Sequence, residues 1–201
     1  MKIIKTDADS LKKTVSLLRN GGIIVYPTDT AYGLGCDALN KKAVKRIYKI
    51  KNRPRGKPLP VIAGSLNLAK KFFRFSKKEL QLAKKYWPGP LSLVLTAIYS
   101  PPYCKGELEG VTGVVVRVPN SKIARFLSSK IKRPIISTSA NISGKGECFS
   151  VKDVLKQFEN KKYQPDLILD AGKLTRRKPS TIIQVKNGKI EILRRGSIII
   201  E

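Results

Sequence analysis

The chain has 201 residues, 41% of them hydrophobic, which is enough for a packed core and argues against a disordered polymer. Its 41 Lys and Arg outnumber 14 Asp and Glu, and the formal charge of +27 points either to anionic partners or to lysine-rich, solvated helix faces. Histidine is absent, which excludes a Ser-His-Asp triad, a Cys-His dyad and any histidine-ligated metal.

In chain order, Ile3-Ile4 begins a short strand, and Leu11, Val15 and Leu18 recur at helical spacing until Asn20-Gly21-Gly22 stops the helix. Ile23 to Tyr26 reads as a buried strand, followed by a turn at Pro27-Thr28-Asp29-Thr30. Asn40 is placed to cap a helix whose core stripe is Ala43, Ile47 and Ile50, with Val44 and Tyr48 beside it. Leu59 to Ala63 is a further strand. Ser76 and Glu79 form a capping-box pattern ahead of a helix that Trp87-Pro88-Gly89-Pro90 ends. Leu91 to Ile98 and Val114 to Val118 are strands, separated by a Pro- and Gly-containing loop from Tyr99 to Thr112. A helix from near Asn120 buries Ile123, Ala124 and Leu127, Ile135-Ile136 is a short strand, and Ser150 with Asp153 caps another helix. Strands at Leu167 to Leu169, Thr181 to Val185 and Ile190 to Leu193 follow, the last two joined by an Asn187-Gly188 turn.

This order predicts an α/β fold, a single domain over residues 1–201 with one twisted mixed parallel/antiparallel sheet and flanking helices. Ligands on such sheets bind where loops leave strand ends. Cys36, Cys104 and Cys148 are odd in number and widely spaced, which reads as three reduced thiols of a cytoplasmic protein. No apolar run approaches the roughly 18 residues of a membrane span. The N-terminal Lys2, Lys5, Asp7 and Asp9 interrupt any signal-peptide core. A soluble protein without a membrane partner is expected.

Two segments carry the chemistry. Lys51, Arg53, Arg55 and Lys57 fall within seven residues beside Pro54 and Pro58, whose rings stiffen the chain that presents them. Such a set suits a polyanion such as a nucleotide triphosphate, with Arg gripping phosphate oxygens in pairs. The competing reading is a basic helix C-terminus. Far downstream, Ser137-Thr138-Ser139-Ala140-Asn141 offers hydroxyls and an amide that donate and accept, or else a turn that caps a short helix. Together the two segments read as a nucleotide site.

Several motifs recur in a known order: Gly21-Gly22, Pro27-Thr28-Asp29-Thr30 through Gly35, Lys51-x-Arg53, Trp87-Pro88-Gly89-Pro90, Arg117-Val118-Pro119, Ser139-Ala140-Asn141, Pro179-Ser180-Thr181-Ile182 and Arg194-x-Gly196. In this order the chain resembles the YrdC-like family from about Leu11 to Ile199. The resemblance implies an L-threonylcarbamoyladenylate synthase of the short, single-domain form. Such an enzyme joins L-threonine, bicarbonate and ATP into threonylcarbamoyl-AMP and pyrophosphate. The product serves threonylcarbamoyl modification of tRNA adenosine, with threonylcarbamoyl-transferase proteins downstream, and magnesium accompanies ATP. One departure is that many members carry a histidine where this chain has Ile62-Ala63.

Residue by residue, the resemblance assigns Lys51, Arg53, Lys57, Ser139, Asn141, Ser150 and Arg194 to ATP, with Lys51 and Arg53 neutralising charge during catalysis. It assigns Thr30, Arg117, Ser139 and Ser180 to L-threonine. Ser150 is equally explained as a helix cap and Thr30 as a turn hydroxyl. Arg117 ends a β-branched strand, where a guanidinium needs an anion; acids are scarce, so a substrate carboxylate is favoured over an internal ion pair. No general base is apparent. Gly33-Leu34-Gly35-Cys36-Asp37-Ala38 fits the dinucleotide fingerprint only superficially, because Arg53 and Arg55 lie where an acid is required. Lys173, Arg176, Arg177 and Lys178 form a basic loop able to meet RNA, to close over ATP or simply to be solvated. Two rival functions remain: a binding module for tRNA or double-stranded RNA, and an adenylating enzyme using another carbamoyl donor.

Overall fold

Each helix begins where a short polar side chain holds its first turn. Asp7, Asn40, Ser65, Ser76, Ser121 and Ser150 accept a hydrogen bond from the amide three residues on. They start α1 (Ala8–Arg19), α2 (Lys41–Lys51), α3 (Leu66–Lys70), α4 (Lys77–Tyr86), α5 (Lys122–Ile131) and α6 (Val151–Phe158). Ser76 and Ser150 complete the capping boxes expected of them, whereas α5 is capped by Ser121, one residue beyond Asn120. These contacts come from a computed structural model that describes residues 1–54, 57–98 and 113–200. Arg55, Cys104 and the expected Tyr99–Thr112 loop lie outside the described residues.

The strands are β1 (Lys2–Lys5), β2 (Ile24–Pro27), β3 (Tyr32–Gly35), β4 (Val61–Ile62), β5 (Phe73–Arg74), β6 (Leu91–Ala97), β7 (Val114–Arg117), β8 (Ile135–Ile136), β9 (Thr138–Ser139), β10 (Leu167–Asp170), β11 (Thr181–Lys186) and β12 (Lys189–Arg194). The mixed parallel and antiparallel α/β architecture matches expectation, but its strands form two sheets rather than one. The first runs β1-β10-β2-β3-β9; the second runs β12-β11-β6-β7-β4-β8, with β5 on β6. The chain crosses from the second sheet to the first at Ser137, between the two-residue strands β8 and β9. Strands so short leave no hydrophobic period to read, which is why the division was not legible.

The position of the site follows from strand alternation in the second sheet. Leu91, Leu93, Leu95, Val114, Val116 and Ile183 point into the main hydrophobic core, which draws on both sheets. Their period-two neighbours Ser92, Val115, Arg117 and Ile182 point the other way, into a cavity. A second apolar cluster packs Val15 and Leu18 of α1 and Leu127 and Ile131 of α5 against β2 and β10. The loops crossing between sheets are thereby held over a rigid support.

Candidate active site

A cavity of about 350 Å³ opens between the two sheets. Thr30, Tyr32, Gly33 and Ser139 line it from the first sheet and its turns. Arg53, Ser92, Arg117, Ser180 and Arg194 line it from the second sheet and adjoining loops. Six of the expected site residues thus share one cavity: Thr30, Arg53, Arg117, Ser139, Ser180 and Arg194.

Arg53 follows α2, which ends at Asn52 in the left-handed conformation (φ 48°). Its guanidinium donates to the carbonyls of Lys57 at 3.3 Å and Pro58 at 3.0 Å. A guanidinium has five N–H groups, so these two anchors leave others for a ligand in the cavity. Burial lowers its pKa from the usual arginine value, but a guanidinium stays charged. The group is fixed before any phosphate arrives.

Lys51 occupies a different place from the one expected of a phosphate clamp. It is 2% exposed and does not line the cavity. Its ammonium donates to the carbonyls of Ser139 (2.6 Å) and Asn141 (2.8 Å) and to Asn141 Oδ1 (3.0 Å), which uses all three of its protons. Ser139 Oγ also donates to Asn141 Oδ1 at 2.7 Å, and the Asn141 amide nitrogen donates to the Lys145 carbonyl. The two sequence segments therefore do meet, but Lys51 and Asn141 spend their polar atoms on each other, on Ser139 and on Lys145, outside the cavity lining. Lys57 is exposed, and its carbonyl accepts from Tyr48 Oη as well as from Arg53. Ser150 caps α6 and lies outside the cavity lining.

Burial, and secondarily the Arg53 charge, lowers the Lys51 pKa to about 7. A polyphosphate entering beside Arg53 favours the ammonium form, so the Lys51 pKa is higher in a complex than in the free protein. A polyphosphate bound there would take up a proton above about pH 7, and its affinity would fall as pH rises from about 7 towards 9. Calorimetry in buffers of different ionisation enthalpy should detect that proton in the parent and lose it in Lys51→Met.

Arg117 requires a correction. The substrate carboxylate invoked to balance it is not needed for that purpose, because Asp29 already lies within 3.0 Å of Nη1. The two side chains are 10% and 6% exposed, so this is a buried ion pair. Asp29 Oδ2 accepts from Arg117 Nη1 at 3.1 Å and from the Asn120 amide at 3.0 Å. Oδ1 is close to Nη1 but off-line for a hydrogen bond and is otherwise unpartnered. Arg117 still lines the cavity, now with its charge matched.

Arg194 donates through Nε and Nη2 to the Ser180 carbonyl at 3.0 and 2.8 Å, and through Nη2 to Ser180 Oγ at 3.0 Å. Ser180 Oγ is in turn 2.9 Å from Ser92 Oγ. Burial lowers the Arg194 pKa, while the Glu147 carboxylate opposes that shift. Two residues on, Gly196 explains its place in Arg194-x-Gly196 by space. A Cβ there would stand 2.3 Å from the Pro179 carbonyl oxygen and 2.4 Å from the Thr181 nitrogen. Gly196→Ala should therefore displace Ser180 from its place in the cavity lining, costing about 1–3 kcal/mol in denaturant unfolding.

Ser92, Ser137 and Glu147 also line the cavity and were not assigned from sequence. Ser92 was detectable as the polar member of an apolar strand, and Ser137 lies in the serine-rich run. Glu147 is an exposed loop acid with no sequence signal. Of Ile62-Ala63, where the resemblance expects a histidine, Ile62 is among the cavity-lining residues, and it is also buried in the second apolar cluster.

The Sua5/YciO/YrdC family, described as telomere recombination, matches residues 16–196. The chain belongs to this family. It is 34% identical over its whole length to a Methanocaldococcus jannaschii protein provisionally named a threonylcarbamoyl-AMP synthase, and covers 94% of it. Over 95% of its length it is 35% identical to the Pyrococcus abyssi threonylcarbamoyl-AMP synthase. The structure of Pyrococcus abyssi Sua5 complexed with L-threonine superimposes with a TM-score of 0.85 at 32% identity over 97% of this chain. The chain spans just over half of the Pyrococcus matches, 55% of the synthase sequence and 57% of the Sua5 chain in that structure. Among the described residues no helix is long and apolar enough to cross a membrane.

Proposed function

We propose that this protein is an L-threonylcarbamoyladenylate synthase, making threonylcarbamoyl-AMP and pyrophosphate from L-threonine, bicarbonate and ATP. The observation that carries the reading is a single cavity holding a pre-anchored Arg53 and Arg194 beside Thr30, Arg117, Ser139 and Ser180. The names of the relatives, and L-threonine bound to a neighbour of like structure, support it.

In this reading the neutral amine of L-threonine and bicarbonate give a carbamate with loss of water. A carbamate oxygen then attacks the α-phosphorus of ATP, the bond to the β-phosphate breaks, and pyrophosphate leaves with the electron pair. Arg53 and Arg194 neutralise that developing charge through guanidinium groups already hydrogen-bonded in place, so no reorganisation is required at the moment of reaction. Lys51 and Asn141 act indirectly, holding the Ser139 segment against the end of α2. Arg117 and Thr30 line the amino-acid end, where alignment of amine and nucleotide supplies much of the rate.

In this reading magnesium would accompany the triphosphate and supply further charge neutralisation there. The buried free thiols Cys36 and Cys148 fit a reducing cytoplasm, where ATP and tRNA are also found. The product is an activated mixed anhydride, which calls for a transferase acting on tRNA adenosine. Incubation with ATP, L-threonine and ¹³C-bicarbonate, read by mass spectrometry, should give a labelled threonylcarbamoyl-AMP. An unlabelled adenylate, or none, contradicts the reading.

A further inference from the structure

We propose that Glu147 is a specificity-determining residue of this site: its carboxylate stands against the Arg194 guanidinium, weakens the hold on polyphosphate and so favours release of pyrophosphate. The inference rests on the functional reading above and gives a part to a cavity residue that the reading leaves idle.

The first observation is the balance of charge. Among the described residues that line the cavity, Arg53, Arg117 and Arg194 are cations and Glu147 is the only acid. Arg117 is already matched by Asp29. Glu147 is therefore the one acid facing the two arginines that take phosphate in the proposed reaction. It is exposed, and among the described residues it makes no hydrogen bond or ion pair. Its carboxylate is not spent on holding the fold, so its charge is available to the cavity.

Placement is the second observation. Cys148, the next residue, is buried; its thiol donates to the Ala140 carbonyl at 2.9 Å, and its own carbonyl accepts from the Tyr32 amide at 2.9 Å. Two residues before Glu147, the Lys145 carbonyl accepts from the Asn141 side-chain amide, and the Lys145 amide donates to the Ile142 carbonyl at 2.9 Å. Gly146 and Glu147 are thus slung between two anchors on the chain that follows β9. The carboxylate is kept at the cavity without being tied to any one partner.

The direction of the effect follows from electrostatics. Burial lowers the Arg194 pKa, and the Glu147 charge opposes that shift; the Arg53 guanidinium feels burial and Tyr48 instead. Glu147 therefore acts on one of the two arginines. An acid near an anion-binding guanidinium steadies the empty site and repels an incoming phosphate, and both effects lower affinity. In a chain of net charge +27, retention of a polyanionic product is the hazard that a local negative charge counters.

The test is calorimetric binding of inorganic pyrophosphate to the full chain, at low salt and at about 0.5 M NaCl. Glu147→Gln should bind pyrophosphate about fivefold more tightly than the parent at low salt. The advantage should shrink to within about twofold at high salt, where a solvent-facing charge is screened. Glu147→Asp keeps the charge and should stay within about twofold of the parent. Glu159→Gln makes the same change of net charge at an exposed residue outside the cavity lining and should bind as the parent does. During turnover, pyrophosphate should become a product inhibitor about fivefold stronger in Glu147→Gln. Unchanged or weaker binding in Glu147→Gln overturns the inference, since a merely structural role loosens the site rather than tightening it. Equal tightening in Glu159→Gln also overturns it, by assigning the effect to net charge alone. A parent that binds neither ATP nor pyrophosphate overturns the functional reading and this inference with it, whereas a parent that binds both, with an affinity Glu147→Gln does not move, overturns this inference alone.

Discussion

Arg53→Ala should lower pyrophosphate release from ATP by about a hundredfold or more while leaving thermal stability nearly unchanged. Loss of one pre-organised donor to a developing oxyanion costs about 10²–10³ in rate, and in the proposed reaction Arg53, held on the Lys57 and Pro58 carbonyls, is such a donor. Arg53→Lys should recover only part of the rate, because an ammonium matches the charge but cannot hold two carbonyls and a phosphate in one plane. Single-turnover rates at saturating ATP separate this from weaker binding. Full activity in Arg53→Ala would remove Arg53 from the proposed machinery.

The largest expected effect on stability comes from the Arg117–Asp29 pair. Removing one member leaves the other charge buried and unmatched, so Asp29→Ala and Arg117→Met should each cost about 3–5 kcal/mol in denaturant unfolding. The double variant should cost clearly less than the sum, because it abandons no charge. Asp29→Ala carries an additional loss, since the Asn120 amide ahead of α5 forfeits its acceptor. Additive losses would show that the two side chains are not coupled despite their 3.0 Å separation.

Local signals in the sequence were readable where one residue type does one physical job. Asn40, Ser76 and Ser150 start helices because a short side chain reaches the third amide of the first turn. Asn187 and Gly188 turn β11 into β12 with φ of 51° and 73°, the conformation an Asn-Gly hairpin demands. β3 escaped notice because Gly33 and Gly35 make up half of it, and glycine weakens any strand pattern. α3 and β5, with five and two residues, are too short to show a period.

The site was legible to a similar degree. The buried position of Lys51 follows from helical spacing, since it lies four residues after Ile47 and three after Tyr48, on the face that α2 buries. Reading its charge alone placed it in the cavity; adding the period places it behind the wall. The parity of β7 likewise sets Arg117 opposite Val114 and Val116. Its pairing with Asp29, 88 residues upstream, depends on tertiary structure and has no local sign.

The most direct measurement is pyrophosphate released from ATP by the purified protein, with and without L-threonine and bicarbonate. Release that requires both co-substrates is predicted. Release indifferent to L-threonine would contradict the account and favour another carbamoyl donor, and no release alongside steeply salt-dependent RNA binding would contradict it in favour of a binding module.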